Sequence, residues 1–277
     1  MKLAPKPARA LVELLLACLL IVLMLRWFEH SQVFHPSRRM DATGAELARP
    51  FEDVFFKADD GVQLNGWFFP ASTNSHRRHL AVLVCHGNAG NISHRLDTCV
   101  ALLSTGVNVF LIDYRGYGRS RGRPSEEGTY RDAQAAYAWL LQKGFADTNI
   151  IGFGESLGGG VAAELAVREP VGGLVLQSTF TSIPDMGAEL FPWLPVRWLA
   201  KIRYDTRSKL PRLHVPVLVM HSSADELVRF HHGQANFAAA NEPKLFWELR
   251  GDHNNPLADS QHFIAGIEKF LRLVKGT

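Results

Sequence analysis

Cysteine is scarce in this chain: 277 residues contain three, Cys18, Cys85 and Cys99. The number is odd and no C-x-x-C pair occurs, so no disulfide framework is written into the sequence. Charge of one sign is lacking too. The formal net charge is +3, and no Lys/Arg cluster is interleaved with aromatic residues, which argues against nucleic acid as a partner. Internal repeats and low-complexity tracts are absent. His76 and His79 are separated by two arginines in a polar loop, which reads as solvated surface and not as a metal site. Neither a metal nor a dissociable cofactor is expected. What remains is an ordinary globular composition, 47% hydrophobic, enough to build a substantial core.

One membrane-length apolar segment occupies residues 8–28. At about 1.5 Å per residue, about 20 residues reach roughly 30 Å, the thickness of the hydrocarbon layer. Glu13 interrupts it near one end, where the side chain can lean to the interface. Arg26 and Trp27 suit an interfacial anchor at the other. A cleaved signal peptide would need a small-x-small site after the run, but Leu25-Arg26-Trp27-Phe28-Glu29 follows. Leu15-Leu16-Ala17-Cys18 is a loose lipobox, yet the apolar run continues well past Cys18. The expectation is an uncleaved anchor over residues 1–29 and a connector over 30–50. Lys2, Lys6 and Arg9 precede the run, and Arg26, Arg38 and Arg39 follow it. The balance leans toward a cytoplasmic N-terminus with the main domain on the outer, periplasmic or luminal, side.

Residues 51–58 and 62–69 are β-type runs around Asp59-Asp60-Gly61, a hairpin signal. Strand-like runs follow at 80–85, 108–113, 149–151, 172–177, 215–221 and 244–249. Helical patterns separate most of them. One, over 125–143, places Tyr130, Ala133, Tyr137, Leu140 and Leu141 on one face. A last helix is expected over 256–273. Alternation of strand and helix implies βαβ units, a mainly parallel sheet and helices on both faces. Binding sites in such sheets lie beyond the carboxyl ends of the strands. Residues 178–214 break the rhythm with Phe180, Phe191, Trp193 and Trp198 among four prolines. This reads as a small helical cap whose aromatics could touch substrate.

Gly154-Glu155-Ser156-Leu157-Gly158 lies between an apolar run and a small-residue helical pattern. It fits G-x-S-x-G, the turn that exposes a nucleophilic serine. A serine hydroxyl needs a base, usually a histidine oriented by a carboxylate. In elbow-type enzymes the chain order is serine, acid, histidine. Of the twelve histidines, His253 alone sits in a loop past a strand end and late enough in the chain. Asp225 lies just past the preceding strand and is the best acid. The glycine-rich loop His86-Gly87-Asn88-Ala89-Gly90-Asn91 could expose backbone N–H groups toward a developing oxyanion. Asn91-Ile92-Ser93 inside it matches a glycosylation acceptor only by coincidence.

These stretches, with Asp113-Tyr114-Arg115-Gly116-Tyr117-Gly118, Asp225-Glu226-Leu227-Val228 and Gly251-Asp252-His253, resemble the α/β-hydrolase superfamily, in particular its membrane-anchored Bem46-like serine hydrolases. The resemblance runs from about residue 51 to the C-terminus. It implies an α/β-hydrolase fold with a cap insert, Ser156 as nucleophile, Asp225 as orienting acid and His253 as base. It also implies the amides of Leu157 and Asn88 as oxyanion donors. One departure stands out: the family often has glycine after the strand-end histidine, where this chain has Ser222.

The expected activity is cleavage of an acyl ester or thioester, of a small molecule or a lipid, with Phe180, Phe191 and Trp193 as substrate contacts. A peptidase or amidase on the same scaffold, or a non-catalytic membrane-tethered binding module, are the alternatives.

Overall fold

The computed structural model describes residues 6–274. Eight strands form the central sheet: β1 Glu52–Lys57, β2 Gln63–Phe69, β3 Ala81–Cys85, β4 Asn108–Asp113, β5 Ile150–Glu155, β6 Gly173–Gln177, β7 Val217–Ser222 and β8 Lys244–Leu249. Their order across the sheet is β8-β7-β6-β5-β3-β4-β2-β1. The hairpin strand β1 and its partner β2 are antiparallel, and β2 is antiparallel to β4. The other neighbours are parallel. The expected Asp-Gly turn closes the hairpin: Gly61 takes φ 82° and its N–H donates to the Ala58 carbonyl at 2.9 Å.

Side chains of a strand alternate between faces, and here both faces are covered. Ala81, Leu83 and Cys85 enter one apolar cluster, whereas Val82 and Val84 enter the other. That is why the inner strands read as continuous apolar runs. Helices α2 (Leu96–Ser104) and α9 (Ser260–Leu271) cover one face; α3 (Glu126–Gln142), α4 (Leu157–Arg168) and α8 (Phe230–Ala239) cover the other. Ser125 caps α3 by accepting the Gly128 N–H at 3.1 Å. Tyr130, Ala133, Tyr137 and Leu140 are buried as expected, but Leu141 is exposed, because a further 100° of helical turn carries it off the core face. The last helix begins at Ser260 and not at 256, since the Asp259 carboxylate caps it through the His262 N–H at 2.9 Å.

Helix α1 (Lys6–Val33) is longer than the apolar run. It is long and apolar enough to cross a membrane, and its large side chains from Leu11 to Met24 are exposed. The chain after it is no loose connector. Val33 and Phe34 are buried in the domain core. His35–Pro36 then pairs in parallel with Ala89–Gly90. Between β6 and β7 the chain forms three short α-helices, α5 (Ile183–Leu190), α6 (Val196–Leu199) and α7 (Thr206–Lys209).

Candidate active site

The registers align the carboxyl ends of β3, β5, β6, β7 and β8, with Cys85 beside Gly154, Glu155 beside Gln177, and Ser222 beside Leu249. The loops carrying Asn88, Ser156, Asp225 and His253 all leave from that edge.

Ser156 is the turn between β5 and α4. Its φ of 52° and ψ of −113° lie in a region that costs a non-glycine residue on the order of 1–3 kcal/mol. The surroundings enforce it: the Ser156 N–H donates to the Gln177 carbonyl at 2.8 Å, and its own carbonyl accepts from Gly159 at 3.0 Å. The flanking glycines are required by close approach. A Cβ on Gly158 would stand 1.9 Å from the Cys85 carbonyl oxygen, and one on Gly154 2.4 Å from the Gly158 oxygen. Leu157 opens α4, so its N–H has no partner one turn back and joins the positive end of the helix.

His253 Nδ1 lies 2.8 Å from Asp225 Oδ2. An ionised carboxylate only accepts, so the Nδ1 proton donates to it and Nε2 is left with its lone pair. Asp225 is itself fixed. Its Oδ1 accepts from the amides of Leu227 at 3.0 Å and Val228 at 2.8 Å. The carboxylate thus holds its own turn with one oxygen and the imidazole with the other. His221 is buried behind the pair, with Nε2 at 3.6 Å from Asp225 Oδ2, and donates to the Val228 carbonyl at 2.7 Å. Burial holds its pKa below the usual imidazole value, outweighing the hydrogen bond and the nearby Asp225.

In the sequence Ser222 stands out only as a departure from the family pattern. It is the last residue of β7, and its hydroxyl donates to the Gly251 carbonyl while accepting the Ala224 N–H. One side chain thereby ties the turn bearing Asp225 to the turn bearing His253. Gly251 makes that second turn at φ 134°, with no room for a Cβ, which would stand 2.2 Å from the Asn255 oxygen.

Ser156, His253 and Asn88 line one cleft of about 220 Å³. Leu227 and Leu257 supply apolar wall. The Arg95–Glu155 ion pair, 2.7 Å, forms part of the rim. The Asn88 loop is pinned from outside: its carbonyl accepts from the Tyr117 hydroxyl at 2.8 Å and from the His35 N–H at 3.0 Å. Asn91 is structural; its buried amide donates to the Ser37 and Arg39 carbonyls. Arg115 is neither loose nor open to a ligand, since it forks onto Asp132 and Asp60.

The expected aromatic contacts need correction. Phe180 is buried in the domain core. Phe191 packs on Phe28 of α1, ring centres 5.7 Å apart, and Trp193 packs on Phe191 at 6.3 Å. None of the three lines the Ser156 cleft. Aromatic composition gives no direction: Phe180 turns to the core, Phe191 to the end of α1, and Trp193 stands largely exposed beside Phe191.

Glu189, His231 and His232 bring three potential ligand atoms within 4.8 Å. The Thr181 N–H points at His232 Nδ1 at 3.2 Å, which puts the ring proton on Nε2, the atom facing Glu189. A donor there suits a carboxylate better than a metal ion.

A sequence profile of the family described as the α/β hydrolase fold matches residues 81–203. The uncharacterized protein Rv2307c of Mycobacterium tuberculosis is 40% identical over 254 residues, 90% of each chain. Protein bem46 of Schizosaccharomyces pombe is 35% identical over 201 residues, 69% of this chain and 66% of that one. The chain belongs to the α/β-hydrolase family, in its Bem46-like group. The esterase Pf2001 of Pyrococcus furiosus shares the fold, with TM-score 0.71 and 20% identity over 88% of this chain and 99% of that one. Family membership fits the strand order and the strained serine at the end of β5.

Proposed function

We propose that this α/β-hydrolase is a membrane-anchored serine hydrolase that cleaves an acyl ester or thioester through an acyl-enzyme on Ser156. The observation that carries the reading is that Ser156 and His253 line one cleft while Asp225 holds the His253 ring by Nδ1. His253 Nε2 takes the Ser156 proton as Oγ attacks the carbonyl carbon. The carbonyl electrons move to oxygen, which the amides of Leu157 and Asn88 receive. Collapse expels the alkoxide or thiolate with the proton from His253. Water, deprotonated by the same imidazole, then releases the acid and restores the serine. In this reading residues 51–277 form the hydrolase unit, 178–214 its cap and α1 the anchor. The N-terminus is cytoplasmic and the domain lies on the outer side.

A fluorophosphonate probe tests the nucleophile. Wild type is expected to label covalently and Ser156→Ala not at all; equal labelling of both would refute the assignment. Esters of graded chain length set beside aminoacyl amides test the bond, and higher turnover of the amides would point to a peptidase.

A further inference from the structure

α1 does not leave the domain as a free tether. Arg26 donates to the Leu199 carbonyl at 3.0 Å and pairs with Glu29 at 2.7 Å. Glu29 in turn accepts the amides of Lys201 and Ile202 at 2.6 and 2.8 Å. The end of the apolar helix is therefore clamped to the segment 199–202. The distance from Ala10 to Trp27 along a helix is about 26 Å, close to the thickness of the hydrocarbon layer. With α1 across a bilayer, Trp27 stands at its boundary and the clamp holds the segment 178–214 at headgroup depth.

That segment carries large apolar side chains with nothing packed over them. Trp198 is 91% exposed and Trp193 76%, beside Trp27 at 73%. Leu190, at the end of α5, is exposed as well. Two ring contacts, Phe28 to Phe191 and Phe191 to Trp193, join this face to α1. The side chains of Lys201 and Arg203, both exposed residues, pair with no carboxylate among the described residues. Indole rings settle where one side is apolar and the other wet, and basic residues next to them add attraction to anionic headgroups.

We propose that the face bearing Trp193 and Trp198 rests on the lipid surface beside α1. The hydrolase domain is then held at two points, one spanning and one interfacial, with its rings about 5–10 Å into the headgroup boundary. This rests on the reading of α1 as an anchor, and it fixes which part of the domain meets the bilayer. The carboxyl ends of the strands, from which both the cap and the Ser156 loops leave, then lie toward the lipid, so an acyl substrate can pass from the bilayer surface to the cleft.

The test uses the full-length protein with Cys18→Ser, which leaves only the buried Cys85 and Cys99. It is reconstituted in phosphatidylcholine–phosphatidylglycerol vesicles. Single cysteines carrying a nitrobenzoxadiazole probe are placed by Leu20→Cys in α1, Leu190→Cys on the proposed face, and Leu141→Cys. Helix α3 runs back from the carboxyl ends of the strands, so position 141 lies at the far end of the domain. Doxyl-labelled lipids are expected to quench position 20, most strongly from mid-chain, and position 190, most strongly from near the headgroup, but not 141. Adding Trp193→Ser and Trp198→Ser should remove the quenching at 190 and leave that at 20. Quenching at 20 without quenching at 190 overturns the docking and leaves the anchor standing. No quenching at 20 overturns the anchor. Quenching at 190 that survives loss of both tryptophans, or a shielded 190 probe that responds to protein density and not to doxyl lipid, also overturns the proposal; the latter would mean a second copy covers the face.

Discussion

The Ser156 cleft and the Trp198 face are built in opposite ways. At the cleft, the candidate residues are largely buried and tied down by hydrogen bonds: the Ser156 amide by the Gln177 carbonyl, the Asp225 carboxylate by the Leu227 and Val228 amides, and the Asn88 carbonyl by the His35 amide and the Tyr117 hydroxyl. The rings of Trp193 and Trp198 stand largely outside the domain, on the turn after α5 and on the four-residue helix α6. Chemistry needs groups placed within a fraction of an ångström, so the fold spends strain and exact register there. Partitioning into a fluid lipid surface is non-directional and tolerates an open scaffold. Substitutions should therefore act sharply at the first region and gradually at the second.

The largest effect is expected from Ser156→Ala, a fall of roughly 10⁶-fold in turnover of a model ester, by analogy with other serine triads. The melting temperature should change little, which separates chemistry from folding. Asp225→Asn comes next. The amide leaves His253 without its charged partner and admits the wrong tautomer, and a loss of roughly 10⁴-fold is expected. A loss within tenfold would mean that His253 is held by something else.

Ser222→Ala sharpens the comparison further. It removes the hydroxyl that joins the Asp225 and His253 turns at a cost of about 1 kcal/mol in stability. Turnover should fall while substrate affinity stays, and Ser222→Thr should restore part of it. A fall in stability with unchanged turnover would make Ser222 merely structural. The smallest effect concerns pH. His221 is buried, and its folded pKa lies below the ordinary 6.5. As pH falls through that value the unfolded chain takes up the proton first, so stability present above about 6.5 is lost on acidification. His232, also lowered chiefly by burial, acts in the same sense. Melting curves from pH 7.5 to 5 should show a decline that His221→Gln makes shallower; an unchanged slope would assign it to other groups.

Much of the cleft could be read in the residues. Inner strands buried on both faces spell continuous apolar runs, and G-x-S-x-G is dictated by a backbone approach that only glycine permits. Chain order and strand ends single out Asp225 and His253, which the structure brings to 2.8 Å of each other. What stayed hidden rests on contacts between distant segments. No local pattern joins Ser222 to Gly251, or says that residues 35 and 36 pair with 89 and 90. Phe180, Phe191 and Trp193 looked alike in the sequence, because hydrophobicity records the wish to leave water and not the neighbour that is found.

That pairing of His35–Pro36 with Ala89–Gly90 bears on how the protein can be handled. Asn88, whose amide is the proposed oxyanion donor, is gripped through its carbonyl by His35, two residues past α1. A version shortened for solubility that begins at residue 38 loses this grip, and one that begins at residue 34 keeps it. Such a pair, compared for turnover at equal stability, measures what residues 34–37 contribute to the proposed reaction with α1 absent from both.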